Sequence, residues 1–227
     1  MPTTAPESSY SLWKTQAPRP RQASKKLPAY LAHTWHVPGT YRVPQPTYRG
    51  CMAREARPQI EGAINHVFSR GNRRGPIFRL DYDFHRFLLY FGDELIDRGW
   101  RCLAYTLIPN HYHLVLETPK ANLSVGIHRL NLRWAKAFNK EYGLLGHVFQ
   151  GRFGLRVVRN DLERVLRYVI RNPVEAGLCR DPRDWEWSSY GELVGSAAPR
   201  FLLDVPRLAE LLGCSVAEVP TRLERLA

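Results

Sequence analysis

The sequence predicts an α+β domain of ferredoxin-like (split βαβ) form: an antiparallel sheet with two helices on one face and a further helix late in the chain. Three observations carry this. Between Ile64 and Pro173, segments of strand and helix period follow one another as β-α-β-β-α-β and then helix. The second and third strands are joined only by the Pro109-Asn110 corner, too short for a crossover, so they pair antiparallel. The third strand alternates: Tyr112, Leu114 and Leu116 point one way, His111 and His113 the other. One face is therefore apolar and needs covering, and the other is free for chemistry.

The elements follow in order. Residues 1–51 hold eight prolines, seven basic residues and a single acid, Glu7, with no helical or strand period. They read as a disordered basic arm, since such composition cannot bury enough apolar surface to order itself. Met52 begins a different texture and is a candidate initiator. Residues 52–195 form the main domain. Ile64–Arg70 is the first strand, and Gly71-Asn72-Arg73-Arg74-Gly75 is a turn with a basic tip. A helix carrying Phe84, Phe87, Leu88, Phe91 and Leu95 is capped by Asp81 or Asp83 and ended by Gly99. Trp100–Ile108 is the second strand and His111–Glu117 the third. Asn122 caps the next helix, whose core stripe is Leu123, Ile127, Leu130, Trp134 and Phe138; Gly143 ends it. On its flank Arg129, Arg133, Lys136 and Lys140 form a basic ridge. His147–Val158 is the fourth strand, with Arg152 and Arg156 on one face. Residues 196–227 form a helical tail with Leu208, Leu211, Leu212, Val219, Leu223 and Leu226 at helical spacing. The stretch Trp185–Tyr190 before it reads as a packing strap.

The chemistry concentrates in two places. Two imidazoles one strand step apart, His111 and His113, can grip one metal ion or one phosphate. Downstream, Leu162, Val165, Leu166, Val169 and Ile170 define a helical stripe, and Pro173 predicts that the helix ends near Asn172. Tyr168 and Asn172 lie one turn apart beside that stripe, so a hydroxyl nucleophile and an amide ligand project together.

Charge narrows the partner. Against 21 Asp and Glu stand 33 Lys and Arg, a net +12, which suits a polyanion and nucleic acid first. The four cysteines are scattered and form no C-x-x-C pair, so free thiols in a reducing cytoplasm are expected. No apolar run approaches the roughly 20 residues that span a bilayer.

Four motifs occur in one order: Ser69-Arg-Gly-Asn-Arg-Arg74, Leu107-Ile-Pro-Asn-His-Tyr-His-Leu114, Phe149-Gln-Gly-Arg-Phe153 and Tyr168-Val-Ile-Arg-Asn-Pro-Val-Glu-Ala-Gly177. From about Met52 to Gly195 the chain closely resembles the single-tyrosine HUH transposases of insertion sequences, and more nearly the REP-associated tyrosine transposases. The resemblance implies cleavage and transfer of single-stranded hairpin DNA through a 5′-phosphotyrosine. It assigns the nucleophile to Tyr168 and a divalent ion, Mg²⁺ or Mn²⁺, to His111, His113 and Asn172. It departs from the family at Tyr112, which stands where an aliphatic residue is usual, and in the arm before Met52. Arg70, Asn72, Arg73, Arg74, Arg129, Arg133, Lys136, Arg152 and Arg156 are the expected DNA contacts. The protein would act in the cytoplasm, on the nucleoid, as a monomer or homodimer, with no membrane partner. Two other readings compete. One is a non-cleaving DNA-binding module of the same fold. The other is an RNA binder, which lacks the expected aromatic sheet pattern.

Overall fold

The computed structural model describes residues 11, 14, 15, 57 and 59–227. The predicted arm at 1–51 lies outside the described residues, save Ser11, Lys14 and Thr15. Lys14 meets the Asp93 carboxylate at 2.5 Å.

Four strands form one antiparallel sheet in the order β2-β3-β1-β4: β1 Ala63–Arg70, β2 Arg101–Ile108, β3 His111–Thr118 and β4 Gly154–Val158. Helices α1 (Asp81–Arg98) and α2 (Leu123–Tyr142) pack on the Tyr112, Leu114 and Leu116 face together with Phe84, Phe87, Ile127, Leu130 and Trp134. Helix α3 (Leu162–Glu175) packs on the opposite face, its Val165, Leu166, Val169 and Ile170 against Leu103, Ala104 and Val115. The ferredoxin-like α+β arrangement is thus present, with the late helix on the histidine side of the sheet.

Both helices on the first face end where the sequence places a glycine. Gly99 and Gly143 take φ of 65° and 62°, a left-handed geometry that costs glycine least. Their starts differ from expectation. Leu80 occupies the N-cap of α1. Asp83 is buried inside the first turn, where its carboxylate accepts from the Arg79 and Leu80 N–H groups and from Tyr142 Oη. Asn122 does stand at the N-cap of α2, but its side chain bonds elsewhere. Its Oδ1 accepts from Trp100 Nε1 at 2.6 Å and its Nδ2 donates to the Arg98 carbonyl, tying α2 to the end of α1.

Two boundaries are corrected. Strand β4 begins at Gly154, because residues before it are drawn across the end of β1. There Gln150 N donates to the Arg70 carbonyl, and Asn72 N donates to the Val148 carbonyl. Helix α3 does not stop at Asn172 but runs through Pro173 to Glu175. A proline has no N–H, so the carbonyl four residues earlier, Val169, loses its helical partner. The Thr106 hydroxyl on β2 replaces it, donating to Val169 O at 2.9 Å in a fully buried setting.

Beyond α3 the chain guards the free edge of β2. Leu107 N donates to Trp187 O, Ser189 N to Tyr105 O and Trp185 Nε1 to Leu107 O. The expected packing strap therefore satisfies edge groups that would otherwise invite another strand. The tail forms α4 (Tyr190–Leu193), α5 (Val205–Leu212) and α6 (Val219–Glu224), and Leu208, Val219 and Leu223 join the α3 core. Arg207 clamps Glu117 of β3 with two 2.8 Å bonds. Cys102, Cys179 and Cys214 are free, and among the described residues no helix is long and apolar enough to cross a membrane.

Thr106→Val keeps the side-chain shape but leaves the Val169 carbonyl unpaired. Stability should fall by about 1–3 kcal/mol, read as a lower urea midpoint at unchanged slope. An unchanged midpoint would show that the helix passes Pro173 without this bond.

Candidate active site on the histidine face

The register of β1 on β3 builds the site. His66 lies opposite Val115, Phe68 opposite His113 and Arg70 opposite His111, and alternation puts all of these side chains on one face. β4 adds Arg156, across from His66. α3 then lays Tyr168 over this face, its ring centroid 5.2 Å from that of His113 and 5.9 Å from that of His66. The ring centroids of His111 and His113 are 5.0 Å apart, and Asn172 of α3 lies close enough to His111 to act on its titration. The structure thus brings together all four residues expected to carry the chemistry.

It adds two more. His66 is 4 % exposed, and its Nε2 lies 2.9 Å from His113 Nδ1. Its strand period was legible, but only the β1–β3 register shows that it faces His113. Arg70, expected merely to touch DNA, is half-buried among the catalytic candidates. Its charge acts on Tyr168, His111 and His113, and burial lowers its guanidinium from the usual value.

Hydrogen bonds set the ring protons. His111 Nδ1 is 2.7 Å from Asn110 Oδ1, and an amide oxygen only accepts, so His111 holds its proton on Nδ1 and offers a lone pair at Nε2. Burial, aided by neighbouring cations, holds His66 at about 4, His111 at about 3 and His113 well below the ordinary histidine value. All three rings are neutral near pH 7. His113 Nε2 and Asn172 Oδ1 are buried without any hydrogen-bond partner. Buried polar atoms are normally satisfied, so two orphans on residues that both lie near His111 fit a divalent cation. Among the described residues, no group of three or more His, Cys, Asp or Glu converges as a metal site. A cation here would take two imidazoles and an amide, leaving positions for substrate oxygens.

The other basic residues divide. Arg73 and Arg74 stand exposed at the tip of the 71–75 turn with φ of 52° and 60°, a region costly for non-glycine residues. The turn is pinned from three sides. Gly71 N donates to Asn110 O, Asn72 N to Val148 O, and Asn110 Nδ2 to Arg74 O. Motifs distant in sequence therefore meet at the end of the sheet that carries His111. Asn72 and Arg152 are exposed near this clip. Arg156 reaches Asp161, which also takes Arg164 at 2.7 Å; with His66 and Val165 these arginines wall a shallow cavity beside Tyr168. The α2 ridge lies on the opposite layer. Arg129 pairs with Glu94 and Asp97, and Arg133 pairs with Asp93 and stacks on Tyr90, while Lys136 is exposed. Helical spacing could not show that α1 supplies those carboxylates.

Fold and site together define a class: a ferredoxin-like sheet whose His-x-His strand faces a tyrosine-bearing helix. The family it resembles is that of the REP-associated tyrosine transposases. The one of Escherichia coli K12 is 27 % identical over 124 residues, 52 % of this chain and 70 % of that protein. A Haemophilus influenzae protein that carries the same name provisionally is 28 % identical over 102 residues, 39 % of this chain and 57 % of its own. A solved REP-associated tyrosine transposase bound to a REP hairpin shares the fold with a TM-score of 0.54 at 22 % identity, covering 66 % of this chain and 90 % of that one. No family model matches the chain.

Gly71 tests the clip. A Cβ there would lie 2.0 Å from the Gly75 carbonyl oxygen, so Gly71→Ala must open the turn. A loss of about 1–3 kcal/mol is expected from such crowding, with faster amide exchange at Asn72 and Gln150. Unchanged exchange would show that the turn is not held by this close approach.

Proposed function

We propose that this protein cleaves and rejoins single-stranded DNA next to a hairpin, with Tyr168 as nucleophile. The observation that carries this is the meeting of the Tyr168 ring with two neutral imidazoles and two unpartnered buried atoms, His113 Nε2 and Asn172 Oδ1, on one sheet face. Buried polar atoms are normally hydrogen-bonded, and these two orphans both belong to residues that act on His111. The relatives named above supply the substrate class; the site supplies the chemistry.

In this reading the Tyr168 oxygen bonds to the scissile phosphorus as the bond to the 3′-oxygen breaks. The product is a 5′-phosphotyrosine and a free 3′-hydroxyl. The phenol proton passes to solvent, and the departing oxygen takes one up. A phenol of ordinary pKa about 10 is a weak nucleophile at neutral pH. The Arg70 charge acts on Tyr168 and would favour the ionised phenol and attract the phosphate. His111, His113 and Asn172 would hold a divalent ion, Mg²⁺ or Mn²⁺, which would polarise the phosphate and stabilise the leaving oxygen. The phosphotyrosine conserves the phosphodiester energy, so a second 3′-hydroxyl can reverse the step without a nucleotide cofactor. Arg73 and Arg74, strained and exposed at the mouth of the clip, contact backbone phosphates.

Tyr168→Phe should bind a labelled hairpin oligonucleotide as the parent does and yield no covalent adduct on a denaturing gel; a persisting adduct would move the nucleophile elsewhere. The double change Arg73→Ala with Arg74→Ala should flatten the slope of log affinity against log salt by about 1.4, at about 0.7 per phosphate contact on a single strand. An unchanged slope would place the DNA away from this turn.

A further inference from the structure

We infer that His66 is a positioning residue for the proposed ligand His113: by accepting its Nδ1 proton, His66 fixes the tautomer that presents a lone pair at Nε2. The inference rests on the metal role given to His113 above. The two nitrogens are 2.9 Å apart and both residues are buried at 4 % exposure, so no water competes for the bond. Two directions of donation exist. If His66 donated, the neutral His113 ring would carry its proton on Nε2 and aim an N–H into the site. That N–H would stand where the ligand role of His113 requires a lone pair. His113 therefore donates through Nδ1, and His66 carries its own proton on Nδ1.

The same logic operates on the neighbouring ring, where Asn110 Oδ1 accepts from His111 Nδ1. Each of the two proposed histidine ligands thus has a dedicated acceptor behind it, one from the corner before β3 and one from the paired strand β1. Such outer partners fix ring orientation, and their loss typically weakens metal affinity by about 10–100-fold. The Arg156 guanidinium faces His66 from β4, and Tyr168 faces it from α3. The β1–β3 pairing, and not the His-x-His strand alone, thus creates the site.

The test uses the full chain, ¹⁵N-labelled and metal-free near neutral pH, in which long-range ¹H–¹⁵N spectra distinguish protonated from bare ring nitrogens. His113 should carry its proton on Nδ1. In His66→Phe, which keeps bulk but removes the acceptor, that preference should be lost and Mn²⁺ affinity, measured by titration, should fall about 10–100-fold. His66→Gln offers an amide oxygen and should recover affinity to within about tenfold of the parent. A proton on Nε2 of His113 in the parent would overturn the inference. So would a His66→Phe variant that keeps both tautomer and affinity and loses only melting temperature. If the parent takes up no Mn²⁺, the metal reading falls by itself, and the His113 tautomer in parent and variant decides the role of His66.

Discussion

The antiparallel pairing of β1 with β3 decides which side chains share a face, and side chains alternate with a period of two. A slip of one residue would carry His66, Phe68 and Arg70 to the layer of α1 and α2 and break the cluster. The register is held from both ends. At one end, Gly71 N bonds Asn110 O and the 148–150 segment crosses behind Arg70; at the other, Asn65 Nδ2 bonds Thr118 Oγ1. On the apolar face, Val67, Tyr112, Leu114 and Leu116 are fully buried, so a slip would also expose a core and bury charge. The burial that stabilises the sheet therefore also fixes the arrangement of side chains on its other side.

Helix α3 is the second half of the site, and it too is held by general packing. Its stripe locks into the core on the Leu103, Ala104 and Val115 face, while Leu208, Val219 and Leu223 of the tail cover it from outside. Arg222 pairs with Glu163, and Arg171 reaches the final carbonyl at Ala227. Tyr168 thus sits on a helix packed from both sides, which suits the nucleophile role proposed for it. The tail, in which the sequence shows no chemistry, supports that aim.

Much of this was legible in the sequence because the relevant periods are local. Alternation placed His111 beside His113, and helical spacing placed Tyr168 over Asn172. Glycines marked the ends of α1 and α2. What escaped depends on partners distant in the chain. His66 looked like an ordinary strand residue until the register set it against His113. The extension of α3 past Pro173 depends on a hydroxyl 67 positions earlier, at Thr106, which no local rule anticipates. The basic ridge of α2 read as a nucleic-acid surface, whereas Arg129 and Arg133 answer carboxylates of α1. Conversely, Arg70 read as part of a basic turn, whereas the last residue of a strand still points into its face.

On the proposed reading, His111, His113 and Asn172 form one cation site beneath the Tyr168 ring. The most direct measurement is anomalous diffraction from a crystal of the full chain soaked with Mn²⁺. A single strong peak about 2.0–2.2 Å from His111 Nε2, His113 Nε2 and Asn172 Oδ1 is predicted. A fully soaked crystal with no peak there, or with its peak elsewhere while the histidine face stays empty, would contradict it.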